Sequence, residues 1–463
     1  MKKPQIGLLG LMLDGYEPIF PGIIQDQTKF AREVAEELQP YAEVIFDSMA
    51  TNKKEIEATV KKYNDLQLDG ILIILFAYSH SGWIIKAMQE NKLPLAMAVL
   101  QPQEYMLPEY TEYNFTINQG IQGAQDNAHI LNRLHIPFQV YAGSRKADRF
   151  RTFIEDFAKA AMAYTFLKSM KVAVIGKMNN MSDIFVDEVA LQQKFGCEVD
   201  YEYIGTVRKL MDEVPEEAVA DRVAYENTIF DVDVTMPTEV HAEAVRQYLA
   251  LKKLMENNEY EAITVHFETL GADGRFNRLH FLAASNLMAD GYGYAAEGDL
   301  MCAALMRLAM FACEGMVHFS EMYAMDFKSQ SILMCHAGEG NWKTARKDRK
   351  PKLANKIFNE GGLQNPPTPL FVMEPGEATV VSFVYLGEGR YKFVVSYGEI
   401  LDKCDLAGCE LPYLFFKPEC GFEHLAEEWL RQGGTHHKAV TIGDTRSFWK
   451  MLAEMLDIAY CEI

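Results

Sequence analysis

At 463 residues the chain is longer than one hydrophobic core ordinarily supports, so two or three domains are expected. Hydrophobic residues make up 49% and charged residues 24%, which supplies ample core material and excludes a disordered or collagen-like chain. The formal net charge of −20 argues against nucleic acid and against anionic membrane surfaces as partners, and suits a neutral or cationic small molecule.

The start, Met1-Lys2-Lys3 followed by an apolar run over 6–13, has the outline of a secretory signal. The run is short, Asp14 closes it and no small-residue cleavage site follows, so it reads as a buried first strand. No stretch reaches the roughly 20 apolar residues that a membrane span needs. The eight cysteines are scattered, contain no C-x-x-C pair and often lie in apolar runs, as reduced thiols do. A cytoplasmic location is expected.

The first third alternates strand and helix. Strands are expected over 5–13, 42–49, 70–76, 93–100 and 138–142, and helices over 23–38, 53–63, 83–89, 119–134 and 148–170. Continuous apolar strands between amphipathic helices indicate a parallel sheet covered on both faces, with ligands gathering at the carboxyl ends of the strands. Those ends carry Met12-Leu13-Asp14, Ala77-Tyr78-Ser79-His80 and Gln101-Pro102-Gln103. The apolar run 171–176 starts a second unit, continued by a helix over 187–194, a strand over 198–204, a helix over 239–256 and a strand over 262–267. A helix over 277–288 follows, then Gly291-Tyr292-Gly293-Tyr294-Ala295-Ala296-Glu297-Gly298-Asp299, then an apolar helix over 300–313.

Beyond about residue 315 a period of two dominates, at 331–335, 378–385, 391–397 and 411–416, with a hairpin turn at Leu386-Gly387-Glu388-Gly389-Arg390. Helices over 422–431 and 447–456 close this region. The fold class is therefore α/β: two Rossmann-like domains with parallel sheets, 1–168 and 169–315, and a mostly antiparallel, barrel-like β domain, 316–463. The basic stretch 343–356 reads most simply as a solvated face.

Gly291-x-Gly293-x-x-Ala296 matches a dinucleotide fingerprint as a string, but that motif must follow a strand and open a helix, whereas a helix precedes it here. P-loop, G-x-S-x-G and H-E-x-x-H motifs are absent. What remains is a set of acids and imidazoles at strand edges and turns. Glu297 lies between two glycines, Glu321 opens the β region, His336 ends an apolar strand, and His436-His437 follow Gly433-Gly434-Thr435. Two carboxylates with two imidazoles suit Mn²⁺ or a similar divalent ion better than Mg²⁺ alone. Spacing does not join residues so far apart, and each has an ordinary structural alternative as a core histidine, an ion-pair residue or a surface turn.

The nine residues from Gly291 to Asp299 resemble the G-Y-G-F-x-G-E-G-D signature of the L-arabinose isomerase family. Phe319-Ser320-Glu321-Met322-Tyr323 is similar to its F-M-E-D-Y, the strand ending in His336 to its L-G-S-H, and Gly433-Gly434-Thr435-His436-His437 to its G-G-A-H-H. Phe267-Glu268-x-Leu270, Asn180-Met181 and Val234-x-Met236-Pro237 extend the resemblance, which runs from about residue 70 to 440. It implies a metal-dependent aldose–ketose isomerase acting on an open-chain sugar, L-arabinose or a related aldose, and assembled as a trimer or hexamer. Glu297, Glu321, His336 and His437 would hold Mn²⁺, with Glu297 and Glu321 also as the catalytic acid and base. Met181 and Phe267 would line the sugar, and His436 would stand behind the ligands or face the substrate.

The N-terminal strand ends depart from the family. Its G-S-Q-H-L-Y-G is here Gly10-Leu11-Met12-Leu13-Asp14-Gly15-Tyr16, with Met12 in place of the sugar-touching glutamine. Its L-H-T-F-S-P becomes Leu75-Phe76-Ala77-Tyr78-Ser79-His80, and its N-Q-T-A-H becomes Asn118-Gln119-Gly120-Ile121-Gln122, so Phe76 and Gln122 replace histidines. The reaction class is implied more firmly than the substrate. The alternatives are a sugar-binding or regulatory protein of the same fold without turnover, and a nucleotide-dependent enzyme resting only on the glycine string.

Overall fold

A computed structural model describes residues 2–271, 274–358, 362–404 and 406–463. The chain divides into two compact units, one of Met1–Phe166 with Lys450–Asp457, the other of Leu167–Trp449 with Ile458–Ile463.

The first unit is built on a five-stranded parallel sheet, ordered Glu43–Ile45, Gln5–Leu11, Gly70–Leu75, Leu95–Val99, Phe138–Ala142. Its central strand, Gly-Ile-Leu-Ile-Ile-Leu, is buried at every position, as continuous apolar strands of covered parallel sheets are. Leu9, Leu11, Ile71, Ile73 and Met97 pack with Ile56, Val60, Ile84 and Met88 into one core. The helix expected over 119–134 is Gly120–Arg133, and a further short helix, Glu112–Asn118, precedes it; Gly120 lets the backbone pass so close that a Cβ there would sit 2.1 Å from the Leu75 carbonyl. The residues that break the family pattern are part of the core: Met12 and Phe76 are both buried, and Phe76 packs edge-on against Phe30 at 5.6 Å. Gln122 lies exposed. Of the helix Arg446–Leu456, expected to close the β region, residues 450–456 belong to this unit, where Glu454 accepts a hydrogen bond from Gln139 at 2.8 Å.

The second unit holds a four-stranded parallel sheet, ordered Gly293–Ala296, Ala262–Val265, Lys171–Ile175, Glu198–Tyr201. Two helices, Ile204–Asp212 and Glu216–Ile229, fill a stretch that the sequence reading leaves unassigned, because the second carries no apolar stripe and buries only Val219 and Glu226. The same unit contains a closed barrel of six antiparallel strands, Gly376–Tyr385, His437–Ile442, Val317–Asp326, Ser331–Cys335, Tyr413–Pro418 and Tyr391–Ile400, the last pairing back to the first. Closure leaves no free edge among the six, and Ala459–Glu462 adds alongside in parallel. Val380, Val394, Ile332, Met334, Leu414 and Phe416 form the barrel core with Leu425 and Trp429 of the helix Phe422–Arg431.

No helix among the described residues is long and apolar enough to cross a membrane. The cysteines are free thiols.

Candidate metal centre

Three of the candidate residues come from adjacent barrel strands. Glu321 pairs directly with His437 on one side and with Cys335 on the other, and His336 follows directly on that strand's last residue. Residues directly opposite in an antiparallel pair project to the same face, so this register sets Glu321 beside His437. A bulge just after Glu321, between Met322 and Ala324, shifts the register before the pairing resumes at Ala324.

Glu297 arrives from the four-stranded parallel sheet. The helix Phe281–Asp290 ends at Gly291, whose φ of 101° supplies the left-handed cap, and the strand Gly293–Ala296 begins two residues later. The glycine string therefore runs from helix into strand, the reverse of the order a dinucleotide fingerprint needs. At the strand's end the backbone reverses. Glu297 takes φ 66° and Gly298 φ 86°, while Thr264 Oγ1 accepts from Gly298 N at 3.0 Å and Val265 O from Glu297 N at 3.0 Å. Only glycine fits after Glu297, since a Cβ on Gly298 would lie 2.5 Å from the Lys177 Cα. Asp299 then caps the apolar helix Leu300–Ala312, accepting from Cys302 N at 2.9 Å.

The four side chains meet. His437 Nε2 stands 3.5 Å from both Glu297 Oε2 and Glu321 Oε1, and His336 Nε2 is 3.9 Å from Glu321 Oε1. His436 Nε2 lies 3.6 Å from the same two carboxylate oxygens. The ligand atoms form two overlapping triads, Glu297/His436/His437 and Glu321/His336/His437, each within 4.8 Å. Glu297 Oε2, His436 Nε2 and His437 Nε2 are buried without a hydrogen-bond partner. Buried polar atoms are ordinarily paired, so unpaired carboxylate and imidazole atoms turned toward one another fit a cation between them. Oxygen and imidazole donors together suit a divalent transition ion.

Each imidazole is also anchored at its other nitrogen. His336 Nδ1 donates to Glu339 Oε2 at 2.7 Å, His436 Nδ1 to Asp183 Oδ2 at 2.6 Å, and His437 Nδ1 to Asp299 Oδ2 at 3.0 Å. A carboxylate on Nδ1 keeps a hydrogen on that nitrogen, so Nε2 is the one left for a metal ion, which is how metal-ligating histidines are usually held.

Charges follow from these contacts. Burial opposes ionisation of Glu339, but the His336 imidazole outweighs it and holds the carboxyl down at about 2. Burial pushes Asp299 up to about 7. For Glu321 burial raises the carboxyl; for Glu297 the neighbouring imidazoles overcome burial and lower it. Burial disfavours a charged His436, yet Asp183 and Glu297 prevail and hold it at about 10. His437, with no exposure and two imidazoles beside it, is driven far toward the neutral form.

Models of three L-arabinose isomerase domains match the chain in order: N-terminal over residues 14–169, central over 171–315 and C-terminal over 316–459. This chain belongs to the L-arabinose isomerase family. Proteins named L-arabinose isomerase in Clostridium beijerinckii (26% identical, covering 90% of this chain and 86% of that one) and Pediococcus pentosaceus (28%, covering 94% of each) are among its relatives. The relative in Lactiplantibacillus plantarum is likewise 28% identical over 94% of each chain.

Of the residues that the family resemblance marks, Glu297, Glu321, His336, His436 and His437 are brought together here. Met181 precedes the short turn Ser182–Ile184 that carries Asp183, and Phe267 follows the strand Ala262–Val265 with its ring 4.9 Å from His266. Both are half-buried. Glu339 and Asp183 were not singled out in the sequence, although His336-x-x-Glu339 is a local signal that could have found the first. Asp183 lies 253 residues from His436, and no spacing rule reaches that far.

Proposed function

We propose that this protein is a metal-dependent aldose–ketose isomerase, converting an open-chain aldose, L-arabinose or a relative, to its ketose through an enediol-type proton transfer. One observation carries the reading: His437 Nε2 stands 3.5 Å from both Glu297 Oε2 and Glu321 Oε1, beside His336, and neither His437 Nε2 nor Glu297 Oε2 has a hydrogen-bond partner. Glu297, Glu321, His336 and His437 would hold the ion, for which Mn²⁺ is the first choice. When bound, such an ion supplies Lewis acidity, polarising the sugar's carbonyl and hydroxyl oxygens and stabilising the negative charge that develops between C1 and C2.

The chain's own residues supply the proton traffic. Isomerisation removes a proton from C2 of the aldose and returns one at C1, while O2 gives up its proton and O1 gains one. Glu297 and Glu321 are the two carboxylates available for this, one serving carbon and the other oxygen. His436 is tethered through Nδ1 to Asp183, and a third of its side chain is exposed (33%), so it would face the sugar, with Met181 and Phe267 on the flanking loops. Met12 and Phe76 are buried where the family pattern has polar residues, so the reaction class is supported more firmly than L-arabinose as the sugar. Another aldopentose, an aldohexose or a deoxy sugar fits the same chemistry. A homo-oligomer, trimer or hexamer, in the cytoplasm completes the proposal.

The test is a panel of aldoses with added Mn²⁺, read by ketose formation, alongside Mn²⁺ titration of the purified protein. Ketose from at least one aldose, and loss of stoichiometric Mn²⁺ in E321A and H336A, are expected. A wild-type protein that binds no divalent ion at micromolar concentration ends this reading. If the ion and an aldose bind but no C2–H exchange with solvent deuterium occurs, the protein is a sugar-binding relative without turnover.

A further inference from the structure

Behind His336 a chain of buried polar groups continues where the family signature places an apolar ring. Tyr294 stands at the phenylalanine position of G-Y-G-F, so its hydroxyl is an addition to that pattern. The hydroxyl donates to Glu339 Oε1 at 3.2 Å and lies 2.7 Å from His280 Nε2. Glu339 Oε2 accepts from His336 Nδ1 at 2.7 Å and from Gly338 N at 3.1 Å. All four side chains are buried: Tyr294 at 0% exposure, His280 and Glu339 at 2%, His336 at 5%.

The protons in such a chain have one consistent arrangement. A phenol carries a single hydrogen, and an ionised carboxylate only accepts. Tyr294 must therefore donate to Glu339, which obliges His280 Nε2 to carry a hydrogen and donate to the Tyr294 oxygen. At the other end Glu339 obliges His336 to carry a hydrogen on Nδ1, so that Nε2, 3.9 Å from Glu321 Oε1, is the nitrogen left for a metal ion. Without the hydroxyl, Glu339 Oε1 would lose the donor that Tyr294 gives it and the carboxylate would be freer to turn away from His336.

We infer that Tyr294 and His280 are positioning residues: through Glu339 they lock His336 in the tautomer and orientation that offer Nε2 to the metal ion. The inference rests on the metal reading above. Partners behind a metal ligand commonly change affinity by roughly 10–100-fold when removed, and a hydroxyl one step further back belongs at the lower end.

The experiment uses full-length protein labelled with ¹⁵N-histidine. In metal-free protein, Y294F is expected to shift the His336 Nδ1–H resonance and speed its exchange with solvent. In Mn²⁺ titration the same variant is expected to bind about tenfold more weakly. Y292F, two residues earlier and outside the chain of hydrogen bonds, is expected to change neither, and thermal melts check that both variants fold. A His336 Nδ1–H signal and a Mn²⁺ affinity that are both unchanged in Y294F overturn the inference, as does an equal loss in Y292F. The metal-free spectrum separates the two proposals. A wild type that binds no Mn²⁺ while Y294F still shifts His336 refutes the metal reading but leaves the tautomer lock intact.

Discussion

Glu297 and Gly298 act as a unit. The acid occupies left-handed backbone that an L-residue enters at a cost, and the glycine after it passes against the backbone of Lys177. Strain of this kind persists where surrounding bonds over-determine it. Here Met178 N donates to Glu297 O at 2.8 Å and Thr264 Oγ1 accepts from Gly298 N, tying the turn to two neighbouring strand ends. Replacing Gly298 by alanine adds a Cβ where the gap is 2.5 Å and a side chain at φ 86°. G298A is expected to lose about 2–4 kcal/mol of unfolding free energy. Urea denaturation checks this, and a midpoint equal to wild type would show that the turn is not held as tightly as these contacts require. The acid was legible in the sequence because a carboxylate between glycines at the mouth of an apolar helix needs a partner. Its partners were not, because none lies nearby in the chain.

At the level of elements, the helix Phe422–Arg431 and the turn after it show how the two histidines are presented. Leu425 and Trp429 bury into the barrel core, and the helix is wholly amphipathic. Gly434 passes so close to the Trp429 indole that a Cβ would lie 2.3 Å from its nitrogen. Trp429 Nε1 and Lys438 Nζ both donate to Thr435 O, at 3.2 and 2.9 Å, and Lys438 also donates to His436 O at 2.7 Å. Thr435 Oγ1 closes the turn on His437 O at 2.8 Å. Because Thr435 O keeps the lysine, W429F should cost only about 1 kcal/mol. W429A removes the packed ring and should cost about 3–5 kcal/mol. Denaturation of the two variants tests the division, and equal losses would show that the indole hydrogen bond rather than ring packing supports the turn. The period-2 strands and this helix were readable from apolar spacing. The Glu216–Ile229 helix was not, since its burial is carried by a few residues, among them the charged Glu226, which pairs with His241 and Arg222.

On the scale of the whole molecule, buried neutral histidines set the acid limit. Burial lowers His280 to about 4 and His318 to about 3. In the unfolded chain both titrate near 6.5. The unfolded state therefore binds more protons as the pH falls, so their contribution to stability is complete above about 6.5 and is lost progressively toward pH 4 and then 3. Thermal melts across pH 7 to 4 should show a falling midpoint, and H318N should flatten that fall. An H318N curve parallel to wild type would place the acid sensitivity elsewhere. Mn²⁺, if it binds only the folded protein, should raise the midpoint at neutral pH, by about 2.7 kcal/mol of added stability at a hundred times its dissociation constant.

The sequence alone determined the local order of this protein. Continuous apolar strands between amphipathic helices specified parallel sheets, alternation specified the β region, and the glycines around Glu297 marked a turn with an acid at its tip. These are readable because they depend on residues within one or two turns of each other. Tertiary structure alone decided what the acids and imidazoles face. Glu321 meets His437 through strand register, His436 meets Asp183 across 253 residues, and closure of the barrel brings the ends of strands far apart in the chain to one place. A cluster of donor atoms of this kind is a property of packing, and the atoms become neighbours only once two sheets have formed and been joined.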